Sequence, residues 1–109
     1  PDGQQFARGR GPARGEPVSA KNLVVLARRD HAEAMRVAAG LTILGHAVGL
    51  VFMDRPVEQN PETEANAELL ELTGIEPATT VAAMADDLPL LDADGLARVL
   101  AGADAVLSL

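Results

Sequence analysis

The sequence predicts an α/β domain in which helices form a layer on each side of a mostly parallel sheet of four or five strands. Continuous apolar runs over 23–27, 47–52 and 105–109 are typical of strands buried on both faces. A weaker run over 79–83 predicts another strand, and 88–91 is either a short strand or an extended loop. Helical segments alternate with these runs, which indicates parallel strands joined by right-handed crossovers.

The first helix is predicted from its start and stop signals. Asp30, followed three residues later by Glu33, is the pattern of a capping box, and Gly45 is a typical helix terminator. Gly40 lowers the helix propensity, so we expect its small size to serve close packing. Helical spacing gives this segment one apolar face, formed by Ala34, Val37, Ala38, Leu41 and Leu44.

Two further helices carry similar signals. Asn60-Pro61 combines a capping residue with a proline at the first helical position, and Gly74 ends this second helix. Its apolar side is predicted to be Leu69, Leu70 and Leu72. Asp92 caps a third helix, whose apolar residues are Leu96, Val99 and Leu100.

Charge is distributed unevenly along the 109 residues. Residues 1–21 hold four basic and two acidic residues, whereas residues 22–109 hold five basic and fourteen acidic ones. An acidic body in a chain with only two aromatic residues argues against a nucleic-acid surface. No apolar stretch approaches the roughly 20 residues of a membrane-spanning helix. We therefore expect a cytoplasmic protein that binds neither nucleic acid nor membrane.

The sequence divides into a tail and a domain. Residues 1–21 are rich in Gly, Pro and Arg, which interrupt every periodicity and predict a flexible tail. We expect this tail to pack on a partner chain. Residues 22–109 contain all the predicted strands and helices and form the domain.

Candidate ligand-binding residues follow the predicted strands, because ligands of open parallel sheets bind beyond the carboxyl ends of the strands. This rule selects Arg28, Arg29, His31, Asp54 and Asp86. Two guanidinium groups beside a helix start favour an anion. The glycine-rich motifs of phosphate loops are absent, and solvated arginines beside a surface histidine are the alternative.

Neither a metal ion nor another cofactor is expected. His31 and His46 lie at opposite ends of the first helix, about 20 Å apart at the helical rise per residue, so they cannot share a metal. The glycine and distant glutamate of a calcium-binding EF-hand loop are missing around the acidic cluster of Asp86, Asp87, Asp92 and Asp94.

Several segments resemble the DsrE/DsrF-like family of sulfur-relay proteins. The first strand is followed by the helical pattern A-x-x-x-A-x-x-L over 34–41, by "GHAV" over 45–48 and by a second strand. The helix and strand over 95–109 resemble the end of that family's domain. This resemblance covers about 22–109 and implies a three-layer domain that forms oligomers. It also implies a persulfide-carrying cysteine after the middle strand, at Ala82, Ala83 or Met84.

The chain contains no cysteine, so it cannot itself hold a persulfide. The resemblance therefore implies a non-catalytic interaction or scaffold subunit, assembled with itself or with related subunits. The alternative is a small anionic-ligand binder, or an enzyme independent of thiols, that uses the residues at the strand ends.

Overall fold

The computed structural model describes residues 21–109. The prediction of a flexible tail packed on a partner falls on residues outside this range, except for Lys21. The strands are β1 (Asn22–Ala27), β2 (Ala47–Phe52), β3 (Ala78–Thr79) and β4 (Ala105–Ser108). The helices are α1 (His31–Ile43), α2 (Pro61–Thr73) and α3 (Ala93–Ala101), with a short 3-10 helix at Ala82–Met84.

The four strands form one sheet in the order β3-β2-β1-β4, and every pairing is parallel. This arrangement confirms the predicted α/β fold. Helices α1 and α2 pack against each other on one face of the sheet. Helix α3 lies on the other face, where its Val99 borders a cavity with Val24 and Gly49. No helix among residues 21–109 combines the length and hydrophobicity that a bilayer crossing requires.

The core lies between the sheet and α1. Val25, Leu50 and Phe52 alternate along β1 and β2 so that all three belong to this cluster. Three alanines of α1 that contact them are completely buried: Ala34, Ala38 and Ala39. Their small side chains let the helix lie close to the strands, which compensates for the shortage of aromatic residues in this core.

The capping signals at the two long helices form in part at α1 and completely at α2. The Asp30 side chain accepts a hydrogen bond from the Glu33 amide at 3.0 Å, but the Glu33 carboxylate pairs with Arg36 instead of returning to Asp30. Only half of the expected capping box therefore forms at α1. At α2 the box is complete, with Asn60 and Thr63 exchanging hydrogen bonds. Gly74 follows α2 in the left-handed conformation, with φ of 80°.

Two leucines assigned to apolar helix faces are in fact exposed. Leu44 is 74% exposed because it follows the last turn of α1, where it caps the helix. Leu72 is 84% exposed because two residues rotate a helix by about 200°, which places it opposite the buried Leu70.

The predicted strand over 79–83 is much shorter in the structure. The Thr79 hydroxyl donates to the Phe52 carbonyl at 3.0 Å and accepts from the Val81 amide at 2.9 Å. The Thr79 side chain thus binds the Val81 amide, which a longer strand would use for backbone pairing, and the chain turns into the 3-10 helix. The uncertain segment over 88–91 is an extended loop, which contributes one parallel bridge between Leu90 and Thr79.

The expectation that Gly40 serves close packing is wrong. It is exposed, and a Cβ added there would meet nothing within 4 Å. Its only effect on α1 is therefore the loss of helix propensity.

We expect Gly40→Ala to raise the free energy of unfolding by about 0.5–1 kcal/mol. Gly74→Ala should lower it by about 1–2 kcal/mol, although that Cβ also meets open space, because a left-handed backbone strains any side chain. Urea denaturation of residues 21–109 measures both. Equal effects of the same sign would contradict this assignment.

Candidate ligand-binding site

The carboxyl ends of β1 and β2 lie side by side, and the loops that follow them form one edge of the sheet. The loop after β1 is short and reaches α1 through Arg28, Arg29 and Asp30. The carbonyl of Leu109, just after β4, accepts hydrogen bonds from the amides of Arg29 at 2.8 Å and Asp30 at 3.1 Å. The end of β4 therefore fixes the start of α1.

Arg55 ties the two loops together. Its guanidinium donates to the carbonyl of Arg28 at 3.3 Å and also to the carbonyl of Arg29. The preceding residue, Asp54, has a φ of 72°, in the left-handed region that residues other than glycine seldom occupy. Its carboxylate lies 3.5 Å from the Arg28 guanidinium in an exposed ion pair. The loops are thus held by backbone acceptors more than by this pair, since exposed ion pairs stabilise weakly.

His31 is the most unusual side chain at this edge. It is only 5% exposed, and its ring stacks on Phe52 with an angle of 5° between the planes and centroids 5.7 Å apart. Its Nε2 lies 3.0 Å from the Arg55 carbonyl oxygen, which can only accept, so Nε2 carries the proton and donates. The other nitrogen, Nδ1, is buried and has no hydrogen-bond partner among the described residues. In the neutral ring this nitrogen is an acceptor without a donor.

A cavity of about 760 Å³ opens at this edge, between the amino-terminal ends of α1 and α2. We call it the polar cleft and define it by six of its wall residues: Arg29, Asp30, His31, Arg55, Glu58 and Thr63. The first amides of a helix lack intrahelical acceptors and carry partial positive charge. Two such helix ends therefore face the same cavity.

A second cavity, of about 340 Å³, lies under the loop between β2 and α2. We call it the apolar slot and define it by Met35, Phe52, Val57, Leu70, Ile75 and Met84. It exists because α2 packs mainly against α1 and makes few contacts with the strands. Glu64, Glu71 and Asp87 lie at the border of the slot.

The residues predicted from the sequence occupy different parts of this region. Arg29 and His31 line the polar cleft, and Arg28 pairs with Asp54 beside it. Asp86 is exposed in the turn after the 3-10 helix and does not line the cleft.

The positions assigned to a lost cysteine form the 3-10 helix. Ala82 and Ala83 are exposed there, and the Met84 sulfur lies 3.7 Å from the Thr79 hydroxyl. Met84 thus belongs to the apolar slot and not to the polar cleft.

Sequence reasoning missed the carbonyl-binding role of Arg55, the cleft residues Glu58 and Thr63, and the slot. The rule for strand ends selects the segment Asp54-Arg55, but the partners of Arg55 are backbone atoms that no sequence pattern reveals. Within residues 21–109 no group of three or more histidine, aspartate or glutamate side chains is arranged to hold a metal ion.

Comparisons with known proteins found no family model, no curated protein and no solved structure that matches this chain. The sheet and the composition show a small α/β domain with four parallel strands and no cysteine.

Proposed function

We propose that this domain binds a small anionic ligand in the polar cleft. The observation that carries the proposal is His31, a histidine in the wall of the cleft whose Nδ1 is buried without a partner. Burying a polar atom without a hydrogen bond costs about 1–3 kcal/mol. Such an atom in a native structure calls for an explanation, and a bound molecule that supplies the missing partner is one.

The position of the cleft supports binding rather than a purely structural role. It lies beyond the carboxyl ends of β1 and β2, where ligands of parallel sheets bind. Its volume of about 760 Å³ falls within the range of small-molecule sites.

An anionic group fits the part of the cleft near Arg29. The amino-terminal ends of α1 and α2 favour negative charge there. Arg29 makes no ion pair among residues 21–109, so its guanidinium is available to a carboxylate or phosphate. The Arg55 guanidinium, in contrast, donates hydrogen bonds to the carbonyls of Arg28 and Arg29, so Arg55 positions this loop.

His31 and the acidic residues of the cleft wall further restrict the chemical groups that the ligand can carry. A neutral Nδ1 accepts a hydrogen bond, so a ligand hydroxyl or ammonium group, or a water molecule held by a carboxylate, satisfies it once the buried atom is exposed to the cleft. Asp30, Glu58 and Glu62 in the same wall disfavour a ligand with several negative charges. A ligand with one negative charge is therefore preferred.

We expect butanoate, used as a probe, to shift the Nδ1 resonance of His31 in ¹⁵N-detected titrations. His46 is the only other histidine, and its Nδ1 already accepts from the Lys21 amide at 3.3 Å, so it serves as an internal control. Arg29→Met should weaken binding about tenfold, the usual effect of losing a charge-assisted hydrogen bond.

The matched control is Arg98→Met, which removes a guanidinium on the opposite face of the sheet and should leave the affinity unchanged. Equal shifts of both histidines, or equal losses in both arginine variants, would mean that the anion binds the surface without using the cleft.

We further propose that the domain is a cysteine-less DsrE/DsrF-like scaffold that assembles through the carboxyl-terminal ends of α1 and α2. Three large apolar side chains are exposed at these two neighbouring helix ends: Ile43, Leu44 and Leu72. Their exposed fractions, from 69% to 84%, leave large apolar surface in water, and contact with a second copy would bury it.

Light scattering should report an oligomer at tens of micromolar, and Leu72→Glu should raise the dissociation constant more than tenfold because a charge would be buried. Leu90→Glu, a change at an exposed leucine elsewhere, is the control. A monomer at that concentration would contradict the assembly.

We expect no persulfide on this chain after incubation with a persulfide donor, since the thiolate that carries the outer sulfur is missing. Ala83→Cys, at an exposed position of the 3-10 helix, should gain one sulfur atom by mass spectrometry if the scaffold is a degenerate relative of the sulfur-relay proteins. Failure of both Ala82→Cys and Ala83→Cys to gain it would count against that ancestry.

A further inference from the structure

We infer that the ligand of the polar cleft carries a hydrocarbon chain that occupies the apolar slot, so that the ligand is an alkyl carboxylate. This inference rests on the proposed anion binding and adds the chemistry of the rest of the molecule.

The two cavities adjoin each other. Val57 and Thr63 line both, so a single layer of side chains separates them. The stacked rings form part of the same boundary, since His31 faces the cleft and Phe52 faces the slot. A ligand of modest length placed in the cleft therefore reaches the slot.

Of the two residues that line both cavities, only Val57 lies outside the helices and strands. Thr63 is buried and fixed by the capping box of α2, with its hydroxyl donating to the Glu58 carbonyl at 2.6 Å. Val57 is half-buried in the loop between β2 and α2, outside any helix or strand. A rotation of Val57 joins the cavities without breaking a helix, a strand or a side-chain hydrogen bond.

The slot suits the apolar end of the ligand. Its walls come from Met35, Phe52, Leu70 and Met84, and the two methionines adapt readily to different shapes. Each methylene that leaves water for such a wall contributes about 0.8 kcal/mol.

Charge fixes the orientation of the ligand. Glu64, Glu71 and Asp87 border the slot and repel a carboxylate there. The cleft also contains three carboxylates, those of Asp30, Glu58 and Glu62, but it offsets them with Arg29, Arg55 and two helix amino-terminal ends. The carboxylate therefore stays in the cleft, and the alkyl chain enters the slot.

Isothermal titration of the whole chain with butanoate, hexanoate and octanoate tests this arrangement. The affinity should rise about fourfold for each added methylene until the slot is filled. Ala67 lines the slot from α2, so Ala67→Trp should remove the gain with chain length while butanoate binds as before. Ala65→Trp, on the same helix but outside the slot, is the matched control and should change neither.

The outcomes separate the inference from the proposed function. If butanoate and octanoate bind with equal affinity, the inference of an alkyl chain in the slot is wrong, whereas the proposed anion site is not contradicted. No binding of any alkanoate would overturn both. Octylammonium binding more tightly than octanoate, or octanoate binding unaffected by Arg29→Met, would show a hydrophobic site without the cleft and would also overturn the inference.

Discussion

The close packing of α1 on β1 and β2 determines where the other features lie. Ala34, Ala38 and Ala39 present no side chain longer than a methyl group, so the helix approaches the strands closely along one face. This approach brings the first residue of α1, His31, into contact with the last residue of β2, Phe52. The same packing leaves α2 resting on α1 and separated from the strands, which creates the apolar slot. Larger residues at the three alanines would push the helix outwards and separate the stacked rings.

The sequence was sufficient for the parts of the fold that depend on local chemistry. Apolar runs, capping residues and terminating glycines act within a few positions, and they correctly placed β1, β2, β4 and the starts of the three α-helices. The expectation that β4 is buried on both faces is wrong, because β4 lies at the edge of the sheet and three of its four residues are exposed. The sequence was insufficient where a contact between residues far apart in the chain determines the local structure. Strand β3 ends early because the Thr79 hydroxyl, held by the Phe52 carbonyl 27 positions away, accepts from the Val81 amide. Leu72 reads as part of an apolar face only until the position of Leu70 shows which side of the helix is buried.

The residues at the candidate site could be predicted from the sequence only in part. The rule that ligands bind at the carboxyl ends of parallel strands selected Arg29 and His31, which line the polar cleft in the structure, because this rule requires only the strand positions. It also selected Asp86, which follows the shortened strand, and the turn that ends this strand carries Asp86 away from the cleft. The buried state of His31 was not predictable, since it depends on the stacking with Phe52 and on the Arg55 loop folding over the ring.

The carbonyl of Leu109 makes the wall of the cleft depend on the edge of the sheet. Strand β4 pairs with β1 at this edge, and three of its four residues are exposed. The amide of Asn22 donates to the Asp104 carboxylate, 82 positions away, and joins the two strands at their other end. Exposed edge elements open more readily than buried ones. Each opening of β4 releases the amides of Arg29 and Asp30 from Leu109, so hydrogen exchange at these two amides reports on the edge strand as well as on α1.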